Sequence, residues 1–212
     1  MRYRRLGQTD LMVSELGLEV RAALERGAEE AEATLRAAID GGVTVFTWDV
    51  SDATEDVEPL VIRAAGVDRG RLTLVAALDF VPSPEDIGPQ VEAIASRLDE
   101  GGGLEGYVDV IALPGLPDEA QLAALNEVRS RGIARFIAVA AGSDAELPTT
   151  LPAGIDVLVL GGDAGSERDG IGVLARARVR EAPALLEGGA VSCVVTSALD
   201  TGEVARLLLP SY

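Results

Sequence analysis

Eight short apolar runs recur along the chain, and between most of them the pattern turns helical. The best defined is Val43-Thr44-Val45-Phe46-Thr47-Trp48-Asp49-Val50-Ser51-Asp52, which begins β-branched and ends in carboxylates and a tryptophan. Such a run, with helical pattern on both sides, reads as a buried parallel strand whose C-terminal end opens into a site. The others fall at 16–20, 72–78, 108–113, 135–140, 156–160, 171–175 and 191–196. Strands that alternate with helices imply a parallel sheet with crossover connections. Eight units predict a closed (β/α)8 TIM barrel in 212 residues, near the lower limit of about 200 for that fold. An open doubly wound sheet is the alternative, weakened because no Gly-x-Gly-x-x-Gly follows the first strand.

The intervening helices have their own signals. Across Ala28–Asp40, Leu35 and Ile39 share a face, Glu32 and Arg36 pair one turn apart, and Gly41-Gly42 stops the helix. Helical patterns follow near 53–65, from Pro82-Ser83-Pro84 to Leu98, and at 118–130, 177–187 and 201–209. The segment 147–152 contains prolines and supports at most a short helix, so the sixth helix is reduced. Residues 3–6 and 11–13 flank the polar turn Gly7-Gln8-Thr9-Asp10 and read as an N-terminal β-hairpin. Residues 1–212 read as one domain.

Charge and residue usage exclude whole classes of function. The net charge of -17 argues against nucleic acid and anionic membrane surfaces, which call for a basic patch. Apolar residues are 48% of the chain but aromatics only 3%, so Ala, Val and Leu must fill the core. The single cysteine, Cys193, permits no intrachain disulfide, and its apolar surroundings mark it as an inert core thiol. The N-terminus lacks the apolar stretch of a signal peptide, and no run is long enough to span a bilayer. A cytoplasmic protein is the expectation.

Two absences matter more. The chain has neither histidine nor lysine, so every basic residue is an arginine. That removes Ser-His-Asp triads, histidine metal sites, Schiff-base chemistry and lysine bases. Asp, Glu, three tyrosines and Cys193 remain for acid/base work.

Several stretches resemble the aldo-keto reductase superfamily. The most specific is Tyr3-Arg4-Arg5-Leu6-Gly7-Gln8-Thr9-Asp10-Leu11-Met12-Val13-Ser14-Glu15-Leu16-Gly17-Leu18, which looks like that family's N-terminal hairpin and first strand. Gly42-Val43-Thr44-Val45-Phe46, Tyr107-Val108-Asp109-Val110-Ile111, Gly132-Ile133-Ala134-Arg135-Phe136-Ile137, Gly170-Ile171-Gly172-Val173-Leu174-Ala175 and Val191-Ser192-Cys193-Val194-Val195 resemble its second, fourth, fifth, seventh and eighth strands. The resemblance implies a hairpin plugging the barrel bottom, shortened later loops, and a site at the strands' C-terminal ends.

It also implies carbonyl reduction by NADPH through Asp, Tyr, Lys and His. Those four positions fall here on Thr47, Asp52, Leu78 and Pro114. The cofactor positions change as well: Glu19 replaces a first-strand glycine, Ala140-Ala141 a Ser-Asn pair, Arg176 the aromatic that stacks on nicotinamide, and Leu199 a phosphate-binding arginine. The expectation is a barrel that uses no cofactor and has lost hydride transfer.

Glu19, Asp49, Asp52, Asp79 and Arg176 all fall at or just beyond strand C-termini, the face where barrel sites form. Along the second strand, a period of two puts Val45, Thr47 and Asp49 on one side. Glu19, Asp49 and Asp52 are the candidate acid and base, since clustered carboxylates raise one another's pKa. Asp79, Phe80 and Arg176 are candidate ligand-binding groups, with Arg176 placed to hold an anionic or enolate oxygen. Trp48 is a candidate stacking surface, although packing between strand and helix is the favoured role. The competing reading makes the carboxylates helix N-caps and solvated loop residues, and Asp52 fits a cap best. Gly161-Gly162-Asp163 is too short to specify a phosphate turn, and no motif specifies a metal site.

Two classes of function remain. One is cofactor-independent acid/base catalysis on a small molecule at the barrel mouth, by a cyclase, isomerase, lyase or dehydratase, with a biosynthetic pathway as a suitable setting. The other is a non-catalytic binding or regulatory subunit, a pseudoenzyme. NADPH-dependent carbonyl reduction is the remaining alternative.

Overall fold

The computed structural model describes residues 1–50, 57–78, 82–100, 106–161, 168–198 and 200–208. Eight parallel strands close into a barrel: β3 (Leu16–Glu19), β4 (Val45–Val50), β5 (Thr73–Leu78), β6 (Val108–Pro114), β7 (Ala134–Ala141), β8 (Val157–Gly161), β9 (Gly172–Arg176) and β10 (Cys193–Ser197). Closure comes from β10 pairing with β3, which sets Val195 beside Gly17 and Ser197 beside Glu19. The barrel is the predicted one, and the open sheet is excluded.

Period-two alternation sorts the side chains into two layers. Val45, Val75, Ala77, Val110, Ala112, Ala138, Val157, Val159, Leu174, Cys193 and Val195 fill the interior. Phe46, Trp48, Leu74, Ile111, Ile137, Leu158 and Val194 face outward, under the helices. Those helices are α1 (Val20–Leu24), α2 (Ala28–Asp40), α3 (Val57–Ala65), α4 (Pro84–Glu100), α5 (Glu119–Ser130), α6 (Ala182–Glu187) and α7 (Thr201–Leu208).

The N-terminal hairpin, β1 (Tyr3–Arg5) and β2 (Met12–Ser14), forms its own antiparallel sheet. Its turn side and β2 send Leu6, Leu11 and Val13 into the interior cluster from the strands' N-terminal side. Burial of each is worth about 1.5–3 kcal/mol, so the plug belongs to the core. Ser14 Oγ accepts from the Thr44 backbone N–H, and Thr44 Oγ1 accepts from the Ser14 N–H. That exchange ties Thr44 to the hairpin and explains why β4 begins at Val45 rather than at residue 43. Gly7 sits at φ 57°, and a Cβ there would lie 2.3 Å from the Gly172 nitrogen, so only glycine lets the hairpin turn approach β9 this closely.

The helices differ from expectation at two places. Helix α1 was not expected; it follows β3 without a loop. The 177–187 helix is instead a 3₁₀ turn at Val179–Glu181 followed by α6, where Pro183 sits in the first turn. Residues 147–152 contain no helix, and the link from β7 to β8 holds only a 3₁₀ turn at Asp144–Glu146. None of the described helices is long and apolar enough to cross a membrane.

Candidate active site

The strands' C-terminal ends bring three of the predicted residues together. Glu19 closes β3, Asp49 is the penultimate residue of β4, and Arg176 closes β9. Asp49 and Arg176 form a two-pronged ion pair, with Nη2 2.5 Å from Oδ1 and Nη1 3.3 Å from Oδ2. Both side chains are 34% exposed, so the pair is screened rather than dry. Arg176, read from sequence as a holder of an anionic oxygen, thus already carries a carboxylate partner from its own chain.

Glu19 is the N-cap of α1. Its carboxylate accepts from the backbone N–H groups of Arg21 at 2.9 Å and Ala22 at 3.1 Å. Burial raises its pKa above the ordinary glutamate range, the Asp49 charge raises it further, and the two backbone donors and Arg176 pull the other way. The N-cap role set against catalysis in the sequence reading is therefore real for Glu19, and it coexists with closeness to Asp49 and Arg176.

Thr47 lies on the inner face of β4, beside Glu19 in the pairing of β3 with β4 and two residues before Asp49. It is wholly buried, and its Oγ1 has no hydrogen-bond partner among the described residues. The buried Nε of Arg176 is in the same condition. Beside Glu19 and Arg176, and not reaching Thr47 or Asp49, a groove of about 730 Å³ opens between the ends of β3, β9 and β10 and helix α7, lined among others by Arg178, Val195, Ser197 and Arg206.

Trp48 does not reach the mouth. Its ring is fully buried in the outer layer, and the indole N–H donates to Glu58 Oε1 at 3.1 Å. Glu58, also fully buried, accepts from Arg97 at 3.2 Å, so Trp48 anchors β4 to α3 and α4. Its assignment as a ligand-binding residue is corrected: alternation that sends Thr47 inward must send Trp48 outward. Asp52, Asp79, Phe80, Leu199 and the pair Gly162-Asp163 lie outside the described residues.

Sequence reasoning missed Ser197, Arg178 and Arg206 as groove residues. Ser197 carried a readable signal, being the inward position two residues after Val195. Arg178 and Arg206 reach the groove through a turn and a helix whose placement depends on tertiary packing. Leu78, at the position the resemblance gives to lysine, is buried in the outer layer. Pro114 ends β6, and Ala140-Ala141 end β7 with no polar side-chain atom to offer. Among the described residues no cluster of three or more Cys, Asp or Glu could hold a metal ion.

No protein-family model matches the sequence, and no curated protein matches it either. Solved structures do. The aldo-keto reductase AKR11C1 of Bacillus halodurans superposes with a TM-score of 0.79 at 17% identity, over 98% of this chain and 90% of that one. PA4992 of Pseudomonas aeruginosa, a protein carried under the aldo-keto reductase name, gives 0.78 at 16% identity over 97% and 92%. The glycerol dehydrogenase AKR11B4 of Gluconobacter oxydans gives 0.58 at 16% identity over 76% and 55%. With its eight-stranded barrel and separate N-terminal hairpin, the chain has the aldo-keto reductase fold.

Proposed function

We propose that this barrel has given up NADPH-dependent redox chemistry and performs cofactor-independent acid/base catalysis on a small molecule bound at its mouth. The observation that carries the reading is the Glu19 carboxyl. It is held by two backbone N–H groups, its pKa is raised by burial, and it stands within electrostatic reach of Asp49 and Arg176. A carboxyl with a raised pKa keeps its proton nearer neutrality, which suits it to give and take one proton in a catalytic cycle.

The mouth does not fit the nicotinamide cofactor that the fold family implies. An ion pair joins β4 to β9 across the mouth, and Arg176 stands where the resemblance puts a stacking aromatic. Glu19, Glu181 and Glu203 line the groove together with Arg176, Arg178 and Arg206, so a dinucleotide's phosphates would meet carboxylates as well as guanidinium groups. Ala140 and Ala141 offer nothing polar to a carboxamide. In the proposed site Glu19 moves the proton. The Asp49–Arg176 pair holds a fixed dipole at the rim.

A second reading has specific support: both Glu19 oxygens and both Asp49 oxygens are already engaged within the chain. Such satisfied carboxylates suit a non-catalytic binding or regulatory subunit. The test compares metabolites from strains with and without the gene, then restores the gene as wild type, Glu19→Gln or Asp49→Asn. Glutamine keeps the shape and removes proton transfer, a loss typically worth about 10²–10⁴-fold in rate. If folded Glu19→Gln protein restores the metabolite pattern in full, the acid/base reading fails and the binding-subunit reading takes its place.

A further inference from the structure

The N-terminal hairpin carries apolar side chains that the described residues leave exposed. Among those residues the exposed large apolar side chains are Met1, Tyr3, Met12 and Leu116, and the first three gather on the hairpin. Tyr3 and Arg5 alternate onto the same face of β1. Arg5 stands directly opposite Met12 in the register of β1 with β2, so Tyr3, Arg5 and Met12 form one surface. The Tyr3 hydroxyl donates to the Gly42 carbonyl at 3.0 Å, which pins the exposed ring in place. A Cβ on Gly42 would lie 2.8 Å from that hydroxyl and 3.1 Å from the Met1 Cβ, so Met1 extends the surface past Tyr3.

Beside this surface a cavity of about 560 Å³ opens between the hairpin and the N-terminal ends of β4 and β5. Tyr3, Met12 and Leu72 give it apolar walls, Arg71 and Arg135 add two guanidinium groups, and Asp10 is the carboxylate in its lining. The charge here is out of character for the chain. The whole sequence has 35 acidic residues and 18 basic ones, whereas residues 1–15 hold Arg2, Arg4 and Arg5 against Asp10 and Glu15. Arg2 and Arg4 pair with Glu15, while Arg5 is exposed and joins no ion pair among the described residues. Arginines alone would be read as guards that keep a hairpin edge from pairing with other chains. A guard has no use for an exposed tyrosine and two methionines beside it. Clustered exposed apolar side chains mark surfaces that a partner covers.

We propose that the hairpin face and its cavity dock an acidic segment of a partner protein. One bulky apolar side chain of that segment enters between Tyr3, Met12 and Leu72, and flanking carboxylates meet Arg5, Arg71 and Arg135. Arg135 is held now by the exposed Asp10 at 2.8 Å, and an incoming carboxylate shares or replaces that contact. Charge selects this occupant. A two-fold contact between copies of this chain would set Arg2, Arg4 and Arg5 near the same arginines of the other copy. Nucleic acid or an anionic bilayer would face a large part of a chain with net charge -17. A short acidic segment feels the local arginines first, because exposed charges more than about 8 Å away are largely screened at physiological salt. The strip from Met1 to the cavity also suits an extended segment better than a compact small molecule, which the cavity alone would satisfy. The surface lies at the opposite end of the barrel from Glu19, so it is independent of the reaction proposed at the mouth.

The chain has two methionines and both lie on this surface, so ¹³C-methyl methionine labelling reports on it alone. The Met12 resonance is assigned by its loss in Met12→Leu. A blocked peptide of sequence Glu-Asp-Leu-Phe-Glu-Asp should move it saturably, with an affinity that falls from low to high salt. Replacing the peptide's phenylalanine by glycine should weaken binding by at least about tenfold. Arg5→Glu should leave the thermal midpoint unchanged and weaken the peptide by about three- to tenfold. The same peptide with lysine at every acidic position should give no saturable shift. The proposal is overturned if the acidic peptide gives none, if the lysine peptide matches it, or if Arg5→Glu leaves the titration unaltered. A Met12 signal that changes on dilution of the protein alone overturns it in favour of a second copy. Broadening by phosphatidylglycerol vesicles with no response to the peptide overturns it in favour of a membrane surface, and benzoate reproducing the peptide's shift does so in favour of a small carboxylate ligand.

Discussion

Asp49 and Arg176, 127 residues apart, meet at the barrel mouth with Nη2 2.5 Å from Oδ1. The pair joins β4 to β9, strands that are not neighbours in the barrel, so it braces the rim where no backbone hydrogen bond can. Each side chain is a third exposed, which caps its worth. A double-mutant cycle of Asp49→Asn and Arg176→Met should return a coupling of about 0.2–1 kcal/mol. The value should shrink between low and high salt as the charges are screened. A coupling several times larger, insensitive to salt, would mean that the mouth is closed and dry.

The raised pKa of Glu19 has a consequence for stability with a definite sign. In the unfolded chain the carboxyl titrates near its ordinary value of 4.5, and in the folded state it titrates higher. The folded protein therefore binds this proton more tightly, and its contribution is fully present below pH 4.5 and lost as pH rises through the folded value. Glu19→Gln has no such proton. The stability of the wild type minus that of Glu19→Gln should fall as pH rises from 4.5 and level off once Glu19 is ionised in both states. Denaturant titrations across that range check it. A difference that grows with pH would show that the two capping N–H groups outweigh burial.

Nicotinamide dinucleotides should not bind. The expected result is no saturable change in NADPH or NADH fluorescence on titration with the protein. Micromolar affinity with an enhanced or shifted nicotinamide signal would return the chain to the carbonyl-reductase reading.

The barrel was legible because each strand is a β-branched or Leu-rich run set off by Gly, Pro or a helical pattern, and the hairpin because polar residues interrupt a weak alternation. Helix α1 was not legible: its five residues are too few to show a 3.6-residue period, and it starts directly from the cap Glu19. The side on which Trp48 falls was readable, since an inward Thr47 fixes it, and the favoured role of packing between strand and helix is the one it takes. The Asp49–Arg176 pair could not be read at all, because it exists only once β10 closes onto β3. For the same reason the unpaired Thr47 hydroxyl appears only in three dimensions.

The Asp109 carboxylate gives the last prediction. It sits inside the apolar run of β6, 1% exposed, with every oxygen engaged. Oδ2 accepts from Arg69 Nη1 and the Leu74 backbone N–H, each at 2.9 Å, and Oδ1 accepts from Arg135 Nη1 at 3.0 Å. Arg69 is 3% exposed, donates also to the Tyr107 carbonyl, and lies 4.3 Å from the Tyr107 ring centroid. Arg135 continues to Asp10 in the hairpin turn at 2.8 Å, so one carboxylate links the plug to β5, β6 and β7. Asp109→Asn keeps the shape but strands the buried Arg69 charge. Breaking one side of a buried pair costs about 3–5 kcal/mol, mainly from the charge left behind. Asp10→Asn removes a carboxylate that is 70% exposed and should cost less than about 1 kcal/mol. Urea titrations with unchanged slopes would measure both. If Asp109→Asn unfolds within about 1 kcal/mol of the wild type, Arg69 finds water on losing its partner, and the plug does not depend on this carboxylate.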